Sequence, residues 1–305
     1  MKQQQQRNDS SARSKVGVVI GSGGLKTLGA VALFDLLDEA NIEPDLLVGC
    51  SGGGLMCALR AAGFRTAHIK ELMSQLSQRN PFTQLDYRAL LNLAWPRLFP
   101  SDRPRGLLKP ERLQKLYDSC FGDLRLEDLP TKTLLQTTDI NTGNGVVLSR
   151  GRLADAVYAS TAIPSLFPPL RMGEQYLADG VHSAPLPVLE AVKRGMDVII
   201  ALDFQANVRR APRSLVDYLH SGVDTFCQSL TYSQLFTSMN LHHHAIIPIR
   251  VQFDRHISLL DLPEIPTILA ESQRVIAGYK EEILHAIKVT RQPLSRSVQA
   301  RAAFA

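Results

Sequence analysis

No uninterrupted apolar run in this 305-residue sequence approaches the roughly 18 residues that a membrane-spanning helix needs. Any membrane contact is therefore expected from the surface. The first fourteen residues (MKQQQQRNDSSARS) lack the apolar stretch of a secretory signal and read as a disordered polar tail. Cysteine is scarce: Cys50, Cys57, Cys120 and Cys227 form no C-x-x-C pair, which excludes a zinc ribbon and a dithiol redox motif. Sparse thiols fit a reducing compartment, so the expected location is cytoplasmic or peripheral on a membrane surface. Aromatic residues make up only 6% of the chain, with one tryptophan, and no nucleic-acid module is present. Nucleic acid is therefore not an expected partner. The net charge of +5 is mildly basic, in keeping with an anionic surface or with simple solubility. The histidine run His242-His243-His244 sends consecutive side chains in different directions. Neither a metal nor an organic cofactor is expected.

What the chain does have is short β-branched runs alternating with helical periodicity. Strands are expected at residues 16–20, 46–49, 134–140, 145–148, 197–203 and 245–251. Helices are expected around 28–40, 52–62, 66–78, 186–194, 215–235 and 266–287. The run Val198-Ile199-Ile200-Ala201-Leu202 suits a strand covered on both faces. This alternation predicts an α/β fold: a three-layer α/β/α domain with a mostly parallel central sheet. No linker divides the chain, so one domain is expected over 15–287. Residues 80–110, rich in Pro, Arg and large apolar side chains, read as a lid or insertion. Within and just beyond that stretch, Trp95, Arg97, Phe99, Arg103, Arg105, Lys109 and Arg112 fit either an interfacial patch or a packed cap with a solvated charged face. Residues 288–305 carry Lys288, Arg291, Arg296 and Arg301 without an acid. They read as a basic tail, frayed or in contact with a membrane surface.

Gly49-Cys50-Ser51-Gly52-Gly53 matches G-x-S-x-G between an apolar strand and a helix of small residues. A sharp strand-to-helix turn strains the serine backbone and crowds its neighbours. Glycine at 49, 52 and 53 removes the clashing Cβ atoms and lets the hydroxyl project into a cleft. The turn also sets Ser51 at a helix N-terminus, where free N–H groups favour negative charge. A glycine-rich packing turn is the bland alternative. Cys50 is the rival nucleophile, but it stands one place back from the apex.

Gly21-Ser22-Gly23-Gly24-Leu25-Lys26 follows the first strand and opens the first helix. A dinucleotide fingerprint would need glycine where Lys26 stands, and a P-loop would need glycine where Leu25 stands. A structural turn remains open. The third functional reading is an oxyanion hole, in which Gly23 and Gly24 amides converge on a developing alkoxide and Lys26 adds charge. Ser51 tops the next strand, and both loops would emerge at one carboxyl edge of a parallel sheet.

A serine hydroxyl needs a proton acceptor. His182, His220, His242, His243, His244 and His256 all follow Asp179, so chain order permits a triad. The better candidate is Asp179 itself. The apolar approach Tyr176-Leu177-Ala178 to Asp179-Gly180 would raise its pKa and make it a stronger base. A plain turn aspartate is the bland alternative.

Together these three segments resemble the patatin-like phospholipase family. The likeness extends through Thr138-Asp139-Ile140-Asn141-Thr142-Gly143, Ala159-Ser160-Thr161-Ala162-Ile163-Pro164 and Phe167-Pro168-Pro169, and covers residues 15–205 best. The resemblance implies a Ser–Asp dyad without histidine. Ser51 would be the nucleophile, Asp179 of the Asp179-Gly180 motif the base, and Gly23, Gly24 and Lys26 the oxyanion loop. The implied activity is hydrolysis of fatty acyl esters through an acyl-enzyme. The implied substrates are glycerophospholipids, lysophospholipids or other acyl lipids. The alternatives are an acyltransferase with the same dyad and a non-catalytic membrane-binding module. Two departures stand out: the family loop usually has Arg-Gly where Lys26-Thr27 stands, and Val181 replaces a second glycine after Asp179.

Overall fold

A computed structural model describes residues 14–78, 84–206, 214–243, 245–255, 257–258 and 261–290. Eight strands form one sheet: β1 (Val16–Ile20), β2 (Leu46–Cys50), β3 (Lys132–Asp139), β4 (Gly145–Leu148), β5 (Leu170–Met172), β6 (Gln175–Asp179), β7 (Val198–Ala206) and β8 (Ala245–Phe253). Their order is β5-β6-β3-β2-β1-β7-β8, with β4 also paired to β3. The five strands β3, β2, β1, β7 and β8 run parallel, while β4 and β6 pair antiparallel with β3, and β5 pairs antiparallel with β6.

The helices are α1 (Ala30–Glu39), α2 (Gly52–Ala61), α3 (Thr66–Gln78), α4 (Tyr87–Ala94), α5 (Glu111–Phe121), α6 (Leu153–Thr161), α7 (Val188–Lys193), α8 (Leu215–Leu241), α9 (Ile265–Ala277) and α10 (Lys280–Thr290). Strand side chains alternate between faces. Val18, Ile20, Leu47, Leu135 and Ile200 pack under α1, α2, α6 and α9, against residues such as Phe34, Met56, Val157 and Ile268. Val19, Leu46, Val48, Leu134 and Ile199 face the other way, onto Val188 and Ala191 of α7 and Leu235 of α8. The result is the expected three-layer α/β/α sandwich with a mostly parallel sheet. Every residue of β1 and β2 is buried, as a sheet covered on both sides requires. The chain leaves β1 for a helix on one face and β7 for a helix on the other. The carboxyl ends of these neighbours therefore part into a crevice, where parallel sheets place their sites.

Several boundaries differ from the sequence reading. The first helix is preceded by a 3-10 turn, Gly24–Gly29, which tightens the approach from β1. The periodic stretch 266–287 is two helices parted at Gly278 and Tyr279, whose N–H groups turn back to Val275 and Ile276. The last helix passes residue 287 to Thr290, where Ser14 Oγ lies 2.6 Å from Thr290 Oγ1. Of the expected tails, residues 1–13 and 291–305 lie outside the described residues, as do 79–83 of the expected lid. The rest of that segment leaves and returns through a bridge between Leu85 and Leu108.

Candidate active site

Strand register brings the two expected reactive residues together. β2 runs parallel to β3 and ends with Cys50 opposite Gln136. β6 runs antiparallel to β3 and ends with Asp179 opposite Thr137. β4 holds the other edge of β3 at both positions, so β2 and β6 share one edge and meet end to end. Ser51 is the next residue after β2, and its Oγ donates to Asp179 Oδ2 at 2.6 Å.

Ser51 sits at φ 55, ψ −128, a left-handed conformation that a side chain adopts at a cost of about 1–3 kcal/mol. The surroundings hold it there. A Cβ on Gly49 would lie 2.5 Å from the Gly53 carbonyl oxygen, and one on Gly53 would press into the Ile20 and Gly21 carbonyls. These two glycines let α2 start directly against the ends of β1 and β2. The Ser51 N–H donates to Ser160 Oγ at 3.1 Å, and that hydroxyl donates to the Gln136 carbonyl at 2.8 Å. Ser160, fully buried at the end of α6, thus ties the strained residue to the β3 position beside Asp179.

Asp179 is fully buried. Burial pushes its pKa up to about 7, against the lowering effect of hydrogen bonds from Ser51 and from the Val181 N–H to Oδ1 at 2.9 Å. Its own N–H donates to the Ala162 carbonyl. Gly180 is required by close approach: a Cβ there would lie 2.5 Å from the Gln136 carbonyl oxygen.

The glycine loop lies against the elbow. A Cβ on Gly52 would meet the Gly24 carbonyl oxygen at 2.7 Å. Two of the loop amides are spent: Gly21 N–H donates to Leu202 and Ser22 N–H to Pro185. Gly23 caps the 3-10 turn and Gly24, at φ 56, opens it, a position whose N–H has no acceptor inside the turn. Lys26 is placed differently. Its N–H donates back to Gly23, and burial lowers the pKa of its ammonium against the opposing attraction of Asp224 on α8 and Asp203 on β7. Gly23 and Gly24 thus stand at the start of the turn beside the elbow, while the Lys26 ammonium feels the charges of Asp224 and Asp203.

The Ser51 hydroxyl pairs with Asp179 and not with any of the described rivals. Cys50 is fully buried, and burial followed by the nearby Asp179 raises its thiol pKa well above the usual value. His182 is exposed at the surface; partial desolvation lowers its pKa against the raising effect of a hydrogen bond to the Asp179 backbone. His244 and His256 lie outside the described residues. Among the described residues no cluster of His, Cys, Asp or Glu is arranged to hold a metal. Ser160 and Gln136 are the site residues that sequence reasoning missed. A buried serine on a helix carries no local signal of what its hydroxyl will touch.

A family model described as patatin-like phospholipase matches residues 18–192. An uncharacterized NTE family protein of Mycobacterium bovis is 27% identical over 197 residues, 65% of this chain and 51% of that protein. The lysophospholipase NTE1 of Candida glabrata is 27% identical over 208 residues, 67% of this chain and 11% of that protein. The chain thus spans about half the length of the mycobacterial relative and about a tenth of the fungal one. The crystal structure of VipD from Legionella pneumophila aligns at a TM-score of 0.52 over 88% of this chain and 67% of that one. At 14% identity this is a likeness of fold.

Proposed function

The chain belongs to the patatin-like phospholipase family, and from that premise we propose that it is a serine lipid acyl hydrolase working through a Ser51–Asp179 dyad. The observation that carries the proposal is the 2.6 Å hydrogen bond from the strained Ser51 hydroxyl to a buried carboxylate. A base is most useful when its pKa lies near the working pH, and burial brings Asp179 to about 7.

In the proposed mechanism an ester carbonyl oxygen docks against the Gly23 and Gly24 amides. Asp179 takes the Ser51 proton as Oγ bonds to the carbonyl carbon. The tetrahedral intermediate collapses, Asp179 returns the proton to the departing alcohol, and an acyl-enzyme remains. Asp179 then takes a proton from water, the hydroxide attacks the acyl carbon, and the proton returns to Ser51 as the fatty acid leaves. The substrate class is an acyl lipid met at a membrane surface: a glycerophospholipid, a lysophospholipid or a related ester.

The test is fatty-acid release from defined phospholipids and lysophospholipids by the native chain, Ser51→Ala and Asp179→Asn, with circular dichroism to verify folding. Both variants should lose roughly 10⁴-fold or more in kcat while keeping the native spectrum. Full turnover by folded Asp179→Asn would transfer the base role elsewhere and overturn the dyad.

A further inference from the structure

The stretch from the last turn of α4 to Gly106 turns its large apolar side chains outward. Leu93 is 73% exposed, Trp95 56% and Leu98 74%, and Phe99 is exposed beside them. This is a built loop. Asn92 Nδ2 donates to the Phe99 carbonyl at 2.7 Å, and the N–H groups of Leu98 and Phe99 both turn back to Trp95. Arg105 Nε donates to Ser101 Oγ at 3.0 Å and pairs with Asp86. Pro96, Pro100 and Pro104 restrict the chain further. Apolar side chains held out in water by a stiffened loop are expected to have a partner.

The base of the prong is fastened beside the proposed site. Gly106 packs against the Phe167 backbone, Leu107 N–H donates to Ser165, and Leu108 N–H donates to Leu166. That same connection, four residues earlier at Ala162, accepts the Asp179 N–H. The prong is therefore set by the loop that also holds the base.

Its charge selects among occupants. Within residues 87–110, Arg88, Arg97, Arg103 and Lys109 are exposed, and Asp102 is the one acid. Tryptophan and arginine side chains suit the headgroup zone, where the ring bridges acyl and polar layers and the guanidinium meets phosphate. Apolar groups at the tip with cations behind them match an anionic bilayer layer by layer. We propose that residues 93–99 insert into the surface of anionic lipid bilayers, with Arg97 and Arg103 against the headgroups, and so dock the Ser51 cleft on its substrate. This deepens the lipid hydrolase reading and rests on it for the substrate.

Trp95 is the single tryptophan, so intrinsic fluorescence reports this loop alone. The full chain carrying Ser51→Ala, which cannot consume the lipid, would be titrated with equimolar phosphatidylglycerol–phosphatidylcholine vesicles and with pure phosphatidylcholine vesicles. Trp95 emission should shift to the blue and be quenched by brominated acyl chains on the anionic vesicles, with a weaker response at high salt. Leu93→Ser with Leu98→Ser should weaken partitioning by at least about tenfold, and Arg97→Gln with Arg103→Gln should weaken it on anionic vesicles only. On the Ser51 background, both double variants should hydrolyse a soluble short-chain ester like the native chain and lose activity on vesicles. Unshifted emission, equal binding of the leucine variant, or equal binding to both vesicle types would overturn the proposal. So would a blue shift that follows protein concentration without lipid, which would assign the loop to self-association. A native chain that inserts Trp95 yet cleaves no ester would sink the hydrolase reading alone.

Discussion

Asp179→Asn should make the protein more stable at alkaline pH even as it abolishes turnover. The carboxyl is fully buried, and its pKa is raised from 3.8 to about 7, chiefly by desolvation of the charged form. A folded pKa above the unfolded one means that the native state holds the proton more tightly. Below about pH 4 both states are protonated and burial of the carboxyl is free of electrostatic penalty. Between about pH 4 and 7 the native state loses up to about 1.4 kcal/mol per pH unit relative to the unfolded chain. Above the folded pKa the loss levels off, and the shift of about three units corresponds to about 4 kcal/mol. Asparagine keeps the size and the acceptor for Val181 N–H but carries no charge at any pH. Urea unfolding of both proteins, followed by circular dichroism from pH 4 to pH 9, is the assay. The stability difference should be near zero in acid and climb to about 4 kcal/mol in favour of the variant near pH 8.5. Wild-type kcat/KM on a soluble ester should rise across the same interval, with an acid limb near pH 7. A stability difference that stays flat with pH would refute the claim that a desolvated carboxylate sits at this position.

Two further outcomes follow from neighbouring residues. Ser160→Ala strips the acceptor from the Ser51 N–H, an orphaned buried donor that costs about 1–3 kcal/mol; kcat should fall by roughly tenfold or more with KM nearly unchanged, and an unchanged kcat would show that Ser160 does not hold the elbow. In the native protein a thiol reagent should modify Cys120 and, more slowly, Cys227, whose pKa is pushed up to about 11, while Cys50 and Cys57 react only after denaturation; mass-spectrometric detection of native-state labelling at Cys50 would contradict its burial.

The elbow was legible because its evidence is local. Glycine spacing around Ser51, an apolar strand before it and small residues after it are all contained in a short stretch of chain. The parallel strands were legible for the same reason, since burial on both faces writes itself as continuous apolar runs in β1, β2 and β7. Asp179 could be nominated from its apolar approach and from family resemblance, but its meeting with Ser51 is a matter of register. Residues 175–179 read as an approach to a turn rather than as a strand, so the antiparallel pairing on β3 was hidden. Ser160 and Gln136 were invisible for a related reason. A hydrogen bond between residues 109 positions apart leaves no periodicity to read. The surroundings of Lys26 were equally hidden, because Asp203 and Asp224, whose charges act on it, come from the far part of the chain.

The end-to-end meeting of β2 and β6 makes β3 a ruler. Loops around the site can lengthen or shorten without changing the gap between hydroxyl and carboxylate, because neither loop sets it. One residue inserted between Gln136 and Thr137 would do so, since each step along a strand is about 3.3 Å and the present contact spans 2.6 Å. Tolerance to insertion and deletion should therefore be lowest in the middle of a strand that contributes no reacting atom.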